Sequence, residues 1–290
     1  MPQQAEGSQS PARTPKPRKI RTATVARKQW LNPDMVRLYF TGPDLSELPE
    51  LTFTDHYVKI LFPPAGADFS WPFDPDALRE SAPADQWPVT RTYTIRSFDR
   101  DSGELAIDFV VHGDEGLAGP WAAAAEPGAQ IGFRGPGGAY APQDDFDSHL
   151  LAGDEAAIPA IAAALDRLPA HARATVYLEV SDSEHHQPLP AEDRTSVVWV
   201  HRGDRPYGEP LARTVREQGL PDGKLQVFIH GNAEMIKDLR RYLFVEQHLD
   251  RRQVSISGYW RTGQNEDAWQ SGKREFMAQV EAAEAADLKV

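Results

Sequence analysis

The pattern of apolar residues changes once along this chain, near residue 141. Before that point, short runs rich in β-branched and aromatic residues alternate with Pro- and Gly-containing stretches, which indicates antiparallel strands joined by turns. After it, short apolar runs alternate with longer amphipathic stretches, which is typical of parallel strands joined by helices. The sequence therefore predicts a two-domain β + α/β fold, with a six-stranded antiparallel barrel followed by a parallel-sheet α/β domain.

The predicted boundaries are a tail at residues 1–18, a barrel at 19–143 and an α/β domain with a C-terminal helical extension at 144–290. The tail has almost no apolar residues, so we expect it to be disordered. Barrel strands are predicted at Thr22–Arg27, Val36–Thr41, Tyr57–Phe62, Arg91–Phe98, Leu105–Val111 and Gln130–Arg134, with a short helix at Leu117–Ala125. In the second half, strands are predicted at His149–Ala152, Ala174–Val180, Val197–Val200, Leu225–His230 and Val254–Tyr259, and helices at Ile158–Leu168, Leu211–Gln218, Ala233–Glu246 and Glu275–Ala286.

Composition excludes several kinds of chemistry. The chain has no cysteine, so disulfides, cysteine nucleophiles and cysteine-ligated clusters are absent, which suits a reducing compartment. A net charge of −12 argues against general nucleic-acid binding. No run approaches the roughly 20 apolar residues that cross a bilayer, and the N-terminus lacks the apolar core of a signal peptide. We therefore expect a cytoplasmic protein without stable membrane association, whose redox chemistry would need a bound organic cofactor.

Motifs for hydrolytic or metal chemistry are also missing. There is no Gly-x-Ser-x-Gly sequence and no His-Glu-x-x-His sequence among the nine histidines. The adjacent pair His185 and His186 lies in a Pro-rich loop, which is typical of a surface segment. The sequence thus predicts neither a catalytic triad nor a metal site.

A nucleotide site is indicated where the first α/β strand ends, at Gly153-Asp154-Glu155. Glycine there allows close backbone approach, and the following helix directs free N–H groups toward an anion. An ordinary strand–helix turn explains the same residues. Acidic residues at the end of the next strand, Glu179 and Asp182, favour the ribose of NADH, whereas Arg202 and Arg205 would suit the 2′-phosphate of NADPH. The choice between the two nucleotides stays open.

A second candidate lies in the barrel strand Arg91-Thr92-Tyr93-Thr94-Ile95-Arg96. A guanidinium for phosphate, an aromatic ring and a hydroxyl group are what a flavin nucleotide requires. An amphipathic edge strand would explain this run equally well. The glycine-rich stretch His112–Gly119 would then supply backbone N–H groups for a pyrophosphate, although a helix start without a ligand has the same pattern.

The chain resembles the siderophore-interacting protein family, a branch of the ferredoxin-reductase-like flavoproteins. The matching pieces run in order over nearly the whole chain after the tail. They are His56-Tyr57-Val58-Lys59, Arg91–Arg96, Asp108–Gly113, Gly116–Trp121, Ala152–Ile161, His230–Glu234 and Gly258–Gly263, the last of which reads Gly-Tyr-Trp-Arg-Thr-Gly.

This resemblance implies FAD as the cofactor and NADH or NADPH as the electron donor. In the barrel it assigns FAD contacts to Arg91, Thr92, Tyr93, Thr94, Asp108, Phe109, Val110, His112, Ala118 and Gly119, with Thr94 as the hydrogen-bond partner of flavin N5. In the second domain it assigns nucleotide contacts to Gly153, Asp154 and Glu155, and places Trp260 and Arg261 over the flavin. Lys59 and Arg261 are the expected siderophore-binding cations.

Two departures from the family pattern bear on the site. Gly119 stands where the family commonly has a serine that can contact phosphate. Gly137 stands where it often has an arginine, and Arg134 is the candidate substitute.

The implied activity is transfer of electrons from NAD(P)H through FAD to a ferric siderophore, with release of Fe(II). A ferredoxin is the alternative donor, and a monomer is expected. Two rivals stay open: a general flavin or electron-transfer reductase without siderophore preference, and a siderophore-binding protein without catalysis.

Overall fold

The computed structural model describes residues 19–113 and 116–288. The predicted disordered tail at residues 1–18 lies outside the described residues. The described chain forms a closed barrel followed by a five-stranded parallel sheet. The predicted fold class is confirmed.

The barrel contains six antiparallel strands in the order β1-β2-β5-β4-β3-β6. Their bounds are β1 Arg21–Asn32, β2 Met35–Thr41, β3 Tyr57–Phe62, β4 Val89–Asp99, β5 Glu104–Val110 and β6 Gln130–Gly137. Closure of β6 onto β1 leaves no open edge, and the alternating apolar side chains fill the interior. Helix α1 (Pro75–Ser81) lies in the β3–β4 connection, and α2 (Ala118–Ala124) packs Ala118 and Ala122 against the barrel core.

The second sheet has the order β11-β10-β7-β8-β9, and all its strand pairs are parallel. Its strands are β7 Ser148–Gly153, β8 Arg173–Val180, β9 Thr195–His201, β10 Leu225–Asn232 and β11 Val254–Trp260. Its helices are α3 Ile158–Asp166, α4 Glu209–Gln218, α5 Ala233–Arg241 and α6 Glu266–Asp287. Short 3-10 segments lie at Pro43–Glu47, Ala84–Gln86, Ser183–His185, Glu192–Arg194 and Arg251–Gln253.

Central strands β7 and β10 are buried along their whole length. Separate apolar clusters cover the two faces of the sheet, which is the usual consequence of helices crossing over both sides. From β7 the chain continues to β8 and β9 on one side of the sheet and then returns to β10 on the other side of β7. The strand order therefore reverses between β7 and β10, and a crevice is expected at the carboxyl ends of these two strands.

Strand β4 lies where the barrel meets the second sheet. Its Arg96 donates to Asp166 at the end of α3, with an N–O distance of 2.6 Å. The next residue, Arg167, donates to the carbonyl oxygen of Thr52 in the barrel at 2.9 Å. Met35 of the barrel is packed into an apolar cluster of the α/β half. These contacts fix the position of β4 relative to the carboxyl ends of the parallel strands.

Most predicted elements agree with the structure, but three predictions were wrong or incomplete. The C-terminal helix begins at Glu266 rather than Glu275, because Asn265 caps its first turn by accepting a hydrogen bond from Ala268 N at 2.9 Å. The helix predicted at Ala233–Glu246 ends its α-helical part at Arg241 and continues as a π turn, Tyr242–Glu246. Helix α1 was not predicted.

Candidate functional site

The first turn of α6 is docked on strand β4. Arg91 Nη1 donates to Asp267 Oδ2 at 3.0 Å. Thr92 donates to the Glu266 carboxylate twice, from its backbone N at 3.0 Å and from Oγ1 at 2.5 Å. The predicted flavin strand is therefore held by acidic residues nearly two hundred positions further along the chain.

The two central residues of this strand differ in their surroundings. Tyr93 packs its ring on Phe109, with centroids 4.4 Å apart, and burial together with the nearby Glu266 carboxylate raises the pKa of Tyr93. Thr94 is buried and lies near the Tyr259 hydroxyl, whose own pKa is raised mainly by burial. Tyr259 belongs to β11, so Thr94 marks the meeting point of the barrel with the parallel sheet.

Two residues close to Thr94 in the barrel sheet carry buried polar atoms without a hydrogen-bond partner. Within the described residues, His56 Nε2 and Arg96 Nε are buried and make no hydrogen bond. The His56 backbone is bonded to this strand, since its carbonyl accepts from Ile95 N at 2.7 Å. Unsatisfied buried polar groups are rare and call for a ligand group or water. A flat ring with polar edges, such as the isoalloxazine of FAD, fits these residues.

Two other barrel residues predicted to contact FAD, Asp108 and Phe109, have side chains that are already engaged within the barrel. Both carboxylate oxygens of Asp108 accept from Arg37, at 2.5 and 2.8 Å, and Phe109 lies wholly in the barrel core. Only their backbones remain for a cofactor. Val110 is partly buried and His112 is exposed. Ala118 and Gly119 begin the two-turn helix α2, and the predicted pyrophosphate contact there stays a prediction.

Three cations lie around strand β3, the neighbour of β4 in the barrel. Lys59 of β3 pairs in register with Thr92 on one side and with Arg134 of β6 on the other. Lys273 of α6 donates to Ser257 Oγ at 3.0 Å, and its pKa is lowered by burial and then by the charge of Lys59. In the part of the chain that the structure describes, none of the three cations is within ion-pair distance of a carboxylate. This basic cluster of Lys59, Arg134 and Lys273 is suited to an anionic ligand.

Arg261, the other predicted siderophore-binding cation, is already paired. Its Nε and Nη2 atoms donate to Glu234 Oε1 at 3.0 and 2.7 Å, and its guanidinium lies 4.9 Å from the Phe276 ring centroid. A neutralised guanidinium attracts an anion less than a free one does. Within the described residues, Lys273, which the sequence did not single out, therefore has no ion-pair partner, whereas Arg261 has one.

Asp154 forms the buried centre of the strand-end region. Its carboxylate accepts from Asn232 N at 2.7 Å and from Trp260 Nε1 at 2.8 Å, both on Oδ2, and from Ala156 N at 3.1 Å on Oδ1. Burial, reinforced by the neighbouring Glu155 charge, raises the pKa of Asp154 to about 7 although these donors oppose the shift. Asp154 thus connects β7 to the ends of β10 and β11.

The remaining strand-end predictions have structural explanations as well. Gly153 allows tight packing, because a side-chain Cβ there would lie 2.4 Å from Ala157 Cβ and 2.5 Å from the His230 carbonyl oxygen. Glu155 accepts from the buried Arg202 at 2.9 Å. Trp260 turns toward Asp154 and packs edge-on against Tyr207, while Tyr259 is the β11 aromatic that reaches Thr94.

Tyr259 and Lys273 are two site residues that the sequence did not predict. Tyr259 lies in the matched Gly-Tyr-Trp-Arg stretch, and strand alternation opposite Trp260 was the signal that could have assigned it to the barrel side. Lys273 had no local signal, because its place depends on how α6 folds back over the barrel.

No group of three or more His, Asp or Glu side chains in the described residues is arranged to hold a metal ion. Among the described helices, none has the length and apolar character needed to span a bilayer.

Comparisons with known proteins agree with this geometry. The sequence profile of the siderophore-interacting FAD-binding domain matches residues 24–140, and that of the siderophore-interacting protein matches residues 146–263. Ferric vibriobactin reductase ViuB of Vibrio cholerae is 33% identical over 257 residues, which cover 87% of this chain and 93% of the relative.

Solved structures give the same result. The siderophore-interacting protein SipS from Aeromonas hydrophila superposes with a TM-score of 0.76 at 29% identity, covering 90% of this chain and 99% of that one. A ferredoxin-NADP+ reductase from Plasmodium falciparum, at 11% identity and a TM-score of 0.62, covers 82% of this chain and 95% of its own and shows the shared fold alone. The chain belongs to the siderophore-interacting protein family, and its barrel is the FAD-binding domain of that family.

Proposed function

We propose that this protein is an FAD-dependent reductase that passes electrons from NAD(P)H to a ferric siderophore and releases Fe(II) in the cytoplasm. One observation carries the substrate: the basic cluster of Lys59, Arg134 and Lys273 lies next to the flavin strand without a carboxylate partner in the described residues. Ferric siderophores are frequently anionic, and a local excess of positive charge on an acidic protein would concentrate them.

The proposed arrangement divides the work among named residues. Asp267 and the Thr90 carbonyl engage only Nη1 of Arg91, so Arg91 would pair with the FAD phosphate through its Nε and Nη2 groups. Thr94 would orient the ring by a hydrogen bond, and Tyr93 would pack against the cofactor. Bound FAD supplies the conversion from a two-electron donor to a one-electron acceptor. The crevice at the strand ends around Asp154 would hold the nicotinamide nucleotide, as parallel sheets of this order do. The name of the ViuB relative, a ferric siderophore reductase, supports this assignment.

Release of iron follows from coordination chemistry. Hard, anionic oxygen ligands hold Fe(III) far more tightly than Fe(II), so a reduced complex gives up its metal. No protein nucleophile or general base is required. This agrees with the absence of a recognised hydrolytic motif in the sequence.

Reconstitution distinguishes this function from its rivals. The purified chain would be loaded with FAD, freed of excess cofactor and tested anaerobically with NADH or NADPH. A ferric siderophore and a neutral quinone, a non-siderophore acceptor, would be compared as oxidants. We expect a retained flavin spectrum, bleaching by the nicotinamide and lower KM for the siderophore. Equal KM values for both oxidants would favour the general reductase, and siderophore binding without flavin retention would favour the non-catalytic carrier.

A further inference from the structure

The carboxyl ends of β8 and β9 determine which nicotinamide nucleotide the crevice accepts. In sheets of this topology the adenosine ribose lies there, where an acidic residue accepts from a 2′-hydroxyl or an arginine pairs with a 2′-phosphate. Arg202, Arg205, Glu179 and Asp182 are the charged residues at this edge that the sequence assigns to the 2′ position, and the exposed Glu184 and Asp204 lie in the same turns. The choice among them rests on the proposed use of a nicotinamide donor.

Arg202 is enclosed by the protein itself. Its Nη1 donates to Glu155 Oε1 at 2.9 Å and lies 3.5 Å from Glu179 Oε1, while Nη2 donates to Ser181 Oγ at 3.0 Å. The Tyr207 ring covers the guanidinium at 3.8 Å, and only 5% of the residue is exposed. Pairing Arg202 with a phosphate would leave buried carboxylates without their cation, which is strongly unfavourable.

Glu179 is equally unavailable to a ribose. Its Oε1 accepts from Gly208 N at 2.8 Å and its Oε2 from Leu211 N at 3.2 Å. These bonds satisfy the free N–H groups at the start of α4, and the side chain is fully buried. The buried pair of Glu179 and Arg202 therefore has a structural role, and neither residue reads the 2′ position.

Asp182 is the exposed charged group that remains just after β8. Its Oδ1 accepts from Glu184 N and contacts His185 Nδ1, both at 2.8 Å. Oδ2 accepts no hydrogen bond from Asp182's immediate neighbours at 183–185. The contact with His185 and the backbone bond lower the pKa of Asp182, so the group is ionised near neutral pH. An ionised carboxylate accepts from a hydroxyl and repels a phosphate.

Arg205 is exposed, but its guanidinium is directed at the backbone. Nε donates to the Arg202 carbonyl at 2.9 Å, and Nη2 donates to the His201 carbonyl. These bonds close the turn after β9. Arg205 is therefore the residue that would have to leave its place if a 2′-phosphate were bound.

We infer that Asp182 accepts a hydrogen bond from the 2′-hydroxyl of the adenosine ribose, and that Glu155 and Glu179 keep Arg202 from contacting a 2′-phosphate. The protein therefore binds NADH in preference to NADPH.

The test measures nucleotide binding without turnover. FAD-loaded protein would be titrated by calorimetry with 5′-AMP and with 2′,5′-ADP, which differ only in the 2′-phosphate. Tighter binding of 5′-AMP, by roughly ten-fold, is expected. Asp182→Asn should reduce the ratio of the two dissociation constants (2′,5′-ADP to 5′-AMP) by roughly five-fold, because one charge that repels the 2′-phosphate is removed. Glu184→Gln removes the same charge two residues away and is expected to leave the difference unchanged.

Other outcomes would overturn the inference in distinguishable ways. Tighter binding of 2′,5′-ADP, lost in Arg205→Gln, would assign the site to NADPH and leave the proposed reductase function intact. Equal narrowing by Asp182→Asn and Glu184→Gln would show a diffuse charge effect instead of recognition by Asp182. Failure of both nucleotides and of NADH to bind at millimolar concentration would remove the inference and the nicotinamide donor together.

Discussion

Arg91 and Asp267 are joined by a hydrogen-bonded ion pair of 3.0 Å between Nη1 and Oδ2, across 176 positions of sequence. The pair, with the two bonds from Thr92 to Glu266, makes the first turn of α6 part of the flavin-binding strand's support. Arg91, the residue proposed to pair with the FAD phosphate, is therefore positioned by residues near the opposite end of the chain. The C-terminal helix is thus tied to the site.

Removing this support should weaken FAD binding. In Glu266→Ala, Thr92 loses both its acceptors. We expect the FAD dissociation constant to rise roughly ten-fold, because a hydrogen bond to a charged group contributes about 1.5 kcal/mol or more. Quenching of flavin fluorescence on binding measures this constant. The control is Glu275→Ala on the exposed side of the same helix. Equal affinities in both variants would show that α6 does not position β4.

The sequence predicted β4 well because its information is local. Alternating Arg91, Tyr93 and Ile95 with flanking turns define a strand irrespective of the rest of the chain. The start of α6 was missed although Asn265 followed by two acidic residues is a helix N-terminus signal, because the preceding Gly-Gln-Asn run resembles a loop.

The composition of the basic cluster could be predicted only in part. Lys59 and Arg134 both lie on barrel strands, and their neighbourhood depends on the β3–β6 register that closes the barrel. Lys273 joins them only because α6 packs back over the barrel. Arg261 was chosen from its motif, and nothing local revealed that Glu234, in the first turn of α5, would neutralise it. Long-range packing decides such contacts.

Neutralising the basic cluster should impair use of anionic substrates. We expect Lys59→Gln, Arg134→Gln and Lys273→Gln each to raise KM for an anionic ferric siderophore roughly three- to ten-fold at low salt, with smaller effects at high salt because ions screen the attraction. Turnover with a neutral acceptor should not change. Steady-state kinetics at two ionic strengths measures the effect.

Two matched variants test where the effect is located. Lys224→Gln removes a cation that is paired with Asp145 at the amino end of β10, and no change in KM is expected. Arg261→Gln should change KM less than any cluster variant, because Glu234 already offsets the charge of Arg261. A larger effect of Arg261→Gln than of Lys273→Gln would reverse the assignment.

The cluster should also make siderophore affinity depend on pH through Lys273. Burial and the charge of Lys59 lower the pKa of Lys273, so this side chain loses its charge at a lower pH than an ordinary lysine does. Affinity for an anion is therefore present at low pH and falls as pH rises through the lowered pKa.

Lys273→Arg provides the comparison, since a guanidinium stays charged throughout the alkaline range. We expect the wild type to lose affinity at a lower pH than Lys273→Arg does when dissociation constants are measured from neutral to alkaline pH. Both proteins are titrated with the same siderophore, so protonation of the siderophore affects both dissociation constants equally and cancels in the comparison. Superimposable curves would mean that Lys273 does not contact the ligand.

Asp154 should affect stability in the opposite direction to most carboxylates. Its pKa is raised from 3.8 to about 7 in the folded protein, so ionisation is disfavoured by folding. The contribution of Asp154 to the free energy of unfolding is fully present below the pKa of the unfolded state. It is lost as the pH rises through the pKa of the folded state. We expect the wild type to lose stability relative to Asp154→Asn between about pH 4 and pH 7, by up to a few kcal/mol.

Urea unfolding of both proteins at several pH values measures this difference directly. Asparagine has nearly the same shape and does not titrate, so other groups cancel in the comparison. The opposite result would be a free energy of unfolding that increases in the wild type, relative to Asp154→Asn, from pH 4 to pH 7. It would show that the hydrogen bonds from Asn232 and Trp260 outweigh burial and that the pKa of Asp154 is instead depressed.

The yield of Fe(II) for each nicotinamide consumed tests the proposed electron transfer to a ferric siderophore most directly. FAD-loaded protein, NADH and a ferric siderophore would be mixed anaerobically with a coloured Fe(II) chelator, and NADH loss and Fe(II) would be recorded together. Because a nicotinamide gives two electrons and Fe(III) takes one, we expect two Fe(II) for each NADH. The rate should fall when Lys59, Arg134 and Lys273 are all changed to glutamine. NADH oxidation without Fe(II), or Fe(II) formation that does not require bound FAD, would contradict the proposed electron transfer.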